Sequence, residues 1–172
     1  LAVGAIYDNY FVPLKNRAAV HVLFLNSAGT VRSSVKLASG INGLAYVSAG
    51  DLFGSTLAPV GDLDGDGVSD LAVGAKNLGV QRGGLYLLLM NSNGTVKTSV
   101  QLSSEANGGP RLFTTQHFGT SVTSLGDLDH DGVTDLAVGS RADYVGSSSY
   151  RGMVFVLFLN PRTMIWTEDF GD

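Results

Sequence analysis

Three stretches of the chain are apolar at almost every position: residues 18–25 (AAVHVLFL), 85–90 (LYLLLM) and 153–159 (MVFVLFL). A strand that is apolar on both faces is covered on both faces, so these are predicted to be central strands of stacked sheets. The first two are each followed by an alternating stretch. Val31, Ser33, Val35 and Leu37 stand against Arg32, Ser34 and Lys36, and Val96, Thr98, Val100 and Leu102 against Lys97, Ser99 and Gln101, the period of two of a half-exposed strand. Lys and Arg there discourage pairing with a foreign edge. The intervening turns, Asn26 to Gly29 and Asn91 to Gly94, place glycine where a short hairpin needs positive φ. No segment keeps a helical period.

The pattern repeats. LAVG begins at Leu1, Leu71 and Leu136, GDLD at Gly61 and Gly126, and Phe-Gly at Phe53, Phe118 and Phe170. Each cycle runs Phe-Gly, acidic loop, LAVG, apolar run, and reads as four short antiparallel strands. The first strand of a cycle (55–60, 120–125) is small and hydroxyl-rich and carries Pro59, which places it at a sheet edge because proline donates no ladder hydrogen bond. Such sheets, stacked face to face with the small edge inward, give an all-β fold of β-propeller blades, about three of them or a partial propeller. A single β-sandwich would also explain the apolar strands, but not loops repeated at fixed phase. The expected organisation is one repeat domain over 1–172: a partial blade 1–52, blades 53–117 and 118–169, and the start of another repeat at 170–172. The ring then needs a longer parent chain or partner copies to close.

Composition narrows the function. The 172 residues carry a net charge of −4 with the basic residues scattered, so there is no electrostatic footprint for nucleic acid. No apolar run is long enough for a membrane-spanning helix. The absence of cysteine removes disulfides and thiol chemistry. Of fifteen acidic residues thirteen are Asp, and eight of those fall in two nine-residue windows, DLDGDGVSD and DLDHDGVTD.

Those windows carry carboxylates at positions 1, 3, 5 and 9: Asp62, Asp64, Asp66 and Asp70 in one, Asp127, Asp129, Asp131 and Asp135 in the other. Position 7 is Val68 or Val133, whose only ligand atom is a carbonyl. An all-oxygen set around a glycine turn suits calcium better than magnesium. Carboxylates held about 4 Å apart repel by about 4 kcal/mol per pair at an effective dielectric near 20, so a cation in each loop removes a large penalty. Position 12 is Val73 or Val138, inside a strand, which excludes an EF-hand. Two Ca²⁺ ions with a structural role are expected, and they would bring the formal charge to zero.

Phe-Gly, then DxDxDGxxD, then LAVG(A/S) resembles the FG-GAP repeats of integrin α-subunit propellers, in phase over the whole chain. The resemblance implies one Ca²⁺ on Asp62, Asp64, Asp66, Asp70 and the Val68 carbonyl, and another on Asp127, Asp129, Asp131, Asp135 and the Val133 carbonyl. It also implies an extracellular or cell-surface module for adhesion, protein interaction or structural assembly. The GAP proline is absent from all three copies.

In an up-and-down blade the acidic loops share one end with the Asn turns, and the resemblance implies that the loops at the other end form the partner-binding face. Its loops at 7–17, 76–83 and 141–152 contain Tyr7, Tyr10, Phe11, Arg17, Arg82, Tyr144, Tyr150 and Arg151, residue types enriched at recognition hot spots. These residues suit a protein ligand or a glycan, and the same aromatics could equally be packed over blade edges. His21, His117 and His130 form no pair and no nucleophile motif is present, so an enzyme is not expected. The alternative is a carbohydrate-binding or non-catalytic part of a polysaccharide-acting enzyme. Asn93-Gly-Thr95 is a glycosylation sequon on a turn that needs those residues anyway.

Overall fold

The computed structural model describes residues 1–8, 18–48, 50–144, 150–160 and 166–168. They form three antiparallel sheets. In chain order the strands are β1 (Ala2–Ala5), β2 (Ala19–Leu25), β3 (Val31–Ala38), β4 (Phe53–Gly61), β5 (Asp70–Ala75), β6 (Leu85–Met90), β7 (Val96–Leu102), β8 (Ser121–Gly126), β9 (Asp135–Tyr144), β10 (Tyr150–Phe158) and β11 (Trp166–Glu168). The sheet orders are β1-β2-β3, β4-β5-β6-β7 and β8-β9-β10-β11, each strand pairing with its sequence neighbour. These are blades of a β-propeller, with the first blade represented by three strands.

Of the apolar central strands, β6 is buried on both faces, whereas β10 is covered on one face only, with Val154 69% exposed on the other. In β6, Leu85 and Leu87 pack toward the third blade, with Phe118, Leu136, Val138, Phe155 and Leu157. Tyr86, Leu88 and Met90 pack toward the first, with Val20 and Leu37. A fully buried leucine contributes roughly 1.5–3 kcal/mol, so one strand stabilises two interfaces at once. Phe53 and Phe118 are wholly buried. Their rings stand edge-on to Tyr86 and Phe155, at 5.4 Å and 5.3 Å between centroids.

Strand one is an edge strand, as Pro59 requires. The first strands of successive blades adjoin: Ser124 Oγ donates to the Pro59 carbonyl, and Thr56 Oγ1 to the Gly119 carbonyl at 3.2 Å. Small residues line this seam because backbone meets backbone there. A Cβ on Gly4 would stand 2.0 Å from the Gly54 carbonyl oxygen, and one on Gly74 would stand 2.4 Å from that of Gly119. The glycines after the first two LAV triplets, Gly4 and Gly74, thus pack against the glycine of the following Phe-Gly, Gly54 and Gly119.

One expectation is corrected. The loop placed at 141–152 is shorter, because β9 and β10 pair as far as Tyr144 and Tyr150 with a bulge between Arg151 and Met153. Tyrosine and the alternating run before it favour the extended state over a loop. The loop expected at 76–83 holds a tight turn at Leu78–Gln81, where Gly79 and Val80 have φ of 57° and 60°, a left-handed bend and no regular helix. Tyr10, Phe11, Arg17 and the repeat start at Phe170 lie outside the described residues.

Candidate metal centre

Each acidic loop begins at a bulge. Pro59 faces Leu71 while Gly61 faces Asp70, and Ser124 faces Leu136 while Gly126 faces Asp135, so one extra residue is inserted before each loop. Gly61 and Gly126 take φ of 72° and 78° there. Within the loops Gly65, Gly67 and Gly132 are left-handed, and His130 holds the same conformation at φ 65° where the first loop has Gly65.

The first carboxylate organises the turn. Asp62 accepts N–H groups from Gly65 at 2.8 Å, Asp66 at 3.0 Å and Gly67 at 2.7 Å. Asp127 does the same for Asp131 at 3.1 Å and Gly132 at 2.9 Å. Asp66 and Asp131 accept the N–H of Val68 and Val133. The side chain of Val133 is buried in the core between the second and third blades and that of Val68 packs partly against the core between the first and second, so neither offers anything but backbone to a ligand.

Position 9 has a second task that the spacing does not reveal. Asp70 and Asp135 are completely buried. Asp70 takes the Leu63 N–H on one oxygen and the Met90 N–H on the other, both at 2.8 Å. Asp135 takes those of Leu128 and Leu159 at 2.8 Å and 3.0 Å. Each fastens its loop to the end of the central strand, and each oxygen keeps a lone pair free.

Asp62, Asp64 and Asp70 bring carboxylate oxygens within 4.8 Å of one another, as do Asp127, Asp129 and Asp135. Asp66 and Asp131 are outside these two convergent sets. Asp66 instead faces Lys97, whose ammonium donates to it and, at 2.7 Å, to Asp64. Burial pushes the Asp70 carboxyl above the usual range, with Asp64 and Asp62 acting in the same direction. Partial desolvation, then repulsion from Asp131, Asp135 and Asp127, raises Asp129. The Lys97 ammonium holds Asp66 below its ordinary value. Crowded oxygens, free lone pairs and an ammonium already drawn in at the first loop make a donor set that fits a hard divalent cation. A cleft of about 460 Å³ between the loops, lined by Asp62, Asp64, Asp131 and Gly132, gives both access to solvent.

At the opposite end, among the described residues, the loops after β5 and β7 adjoin where the Gln81 and Arg82 carbonyls accept the N–H groups of His117 and Phe118. Tyr7 is exposed there, and Arg82 with it. The hydropathy pattern singles out no residue in the loops between blades, yet Tyr46 is 75% exposed and Phe113 50% exposed, with Arg111 stacked 5.5 Å from the Phe113 ring centroid. An aromatic in a loop outside any alternating pattern is the signal that could have found them.

The pattern of the FG-GAP-like repeat family matches residues 62–138. The chain is 30% identical over 166 residues, 96% of its length, to integrin alpha-3 of Cricetulus griseus, and 33% identical over 116 residues, 66% of its length, to integrin alpha-X of Homo sapiens. It is 34% identical over 94 residues to integrin alpha-PS5 of Drosophila melanogaster. The chain spans 14% of the length of the first of these relatives and 9% of the other two.

Proposed function

We propose that this chain, made of FG-GAP repeats and similar to integrin α subunits, is a calcium-stabilised propeller module that presents a protein-recognition face at the cell surface. The observation that carries the reading is the duplicated loop, in which three carboxylates converge and the innermost is bonded to the adjacent central strand. Asp62, Asp64, Asp66, Asp70 and the Val68 carbonyl would hold one Ca²⁺, and Asp127, Asp129, Asp131, Asp135 and the Val133 carbonyl the other. The ion's contribution is charge: it replaces mutual repulsion by attraction and fixes the turn between the first two strands of a blade.

The role is structural and non-catalytic. Extracellular modules of this kind bind calcium at about 10⁻⁴–10⁻³ M, a range that fits the cell exterior. Recognition belongs to the opposite end, where Tyr7, Tyr46, Arg82, Arg111 and Phe113 supply aromatic and guanidinium groups. The integrin relatives favour a protein ligand, and they lend no support to a glycan. The blades run 1–52, 53–117 and 118–169, and a full ring is completed by further blades of a parent chain or by a partner copy.

Thermal unfolding with and without calcium tests the reading. Millimolar Ca²⁺ raises Tm by several degrees and a chelator reverses the gain, as expected for a ligand held only by the folded state. An unchanged Tm refutes it.

A further inference from the structure

The two acidic loops differ in a feature that lies outside both of them. Lys97, the second residue of β7, lays its ammonium against Asp64 and Asp66. Among the described residues no Lys or Arg forms an ion pair with Asp127, Asp129 or Asp131.

An ammonium and a divalent cation seek the same oxygens of Asp64 and Asp66. Holding both at once would set like charges within about 4 Å of each other, so one must leave. The Lys97 side chain is 37% exposed, and its head can swing into water without any change in the strand that carries it. We propose that Lys97 is a built-in competitor for the first acidic loop, so that calcium fills the Asp127 to Asp135 loop first and enters the Asp62 to Asp70 loop only by displacing it. The inference rests on the reading of both loops as calcium sites. It makes the loops unequal in a way their matching motifs conceal: at intermediate calcium the third blade is pinned by metal while the second is held by its own lysine.

Calorimetric titration of the full chain with calcium alone, in two single-loop backgrounds, tests this. Asp129→Asn leaves the first loop and Asp64→Asn leaves the second. The second loop binds more tightly than the first. Adding Lys97→Gln to Asp129→Asn tightens binding by up to about fivefold, the upper end for one lost surface ion pair, while adding it to Asp64→Asn changes nothing. Lys97→Arg, which keeps the charge, retains the weak affinity of the first loop and separates competition from any effect on folding. Calcium bound by both backgrounds with no gain from Lys97→Gln overturns the competitor role alone. Calcium bound by neither overturns that role together with the reading beneath it.

Discussion

Gly74 of one blade and Gly119 of the next approach so closely that a methyl group on Gly74 would lie 2.4 Å from the Gly119 carbonyl oxygen. The Gly119 carbonyl is backbone and cannot yield cheaply, and Thr56 Oγ1, also at 2.4 Å, can turn away only by giving up its hydrogen bond to that carbonyl. Gly74→Ala therefore costs about 3 kcal/mol in denaturant unfolding, at the upper end of overpacking. Gly50, where an added methyl would meet nothing within 4 Å, is the control, and Gly50→Ala stays within about 0.5 kcal/mol of the parent.

Asp70→Asn tests the second task of the innermost carboxylate. Asparagine presents an NH₂ group to either the Leu63 or the Met90 N–H, leaving a buried donor without an acceptor. The loss, about 1–3 kcal/mol, persists in chelator. Asp64→Asn gives up an exposed pair with Lys97 but also relieves the crowding with Asp62 and Asp70, so it is close to neutral in chelator and destabilising only when calcium is present. Unfolding curves of both variants with and without calcium separate a strand latch from a metal ligand.

Much of this architecture is legible in the chain. The apolar runs mark β2, β6 and β10 as central, the alternating runs mark β3 and β7 as edges, and Pro59 marks β4 as the opposite edge. What stays hidden is long-range. Gly4 and Gly54 belong to different motifs, and nothing in either spacing says that they touch. Asp70 reads like the other carboxylates of its window, because only the fold shows the Met90 N–H arriving from another strand. Lys97 lies 33 residues from Asp64 and reads as part of a solvated face. The extension of β9 and β10 to Tyr144 and Tyr150 is hidden because a Gly- and Ser-rich stretch between them dominates the local pattern.

Phe118→Ala removes a wholly buried ring stacked edge-on to Phe155, at the junction of the second and third blades. The expected cost is about 4 kcal/mol, from lost burial and the cavity left behind. Chemical denaturation reads it directly, and a cost under about 1 kcal/mol would mean that the blades do not depend on this ring.

Burial raises the Asp51 carboxyl above its ordinary value, against the opposing pull of the Ser48 N–H. A raised value in the folded state means that the folded state binds the proton more tightly. Its stabilising contribution is complete below the unfolded value of about 3.9 and is lost as pH rises through the higher folded value. Asp51→Asn, which is always neutral, therefore raises Tm at pH 7 and leaves it nearly unchanged at pH 3. A larger gain at pH 3 than at pH 7 would contradict the assignment.

If both acidic loops hold calcium through their convergent carboxylates, the chain binds a fixed number of ions. Equilibrium dialysis at millimolar free calcium, with the bound metal counted by atomic absorption, is the most direct measurement. Two ions per chain are predicted, one after either Asp64→Asn or Asp129→Asn and none after both, matching the two carboxylate clusters. Less than one ion per chain, or a count that neither substitution changes, would contradict the account.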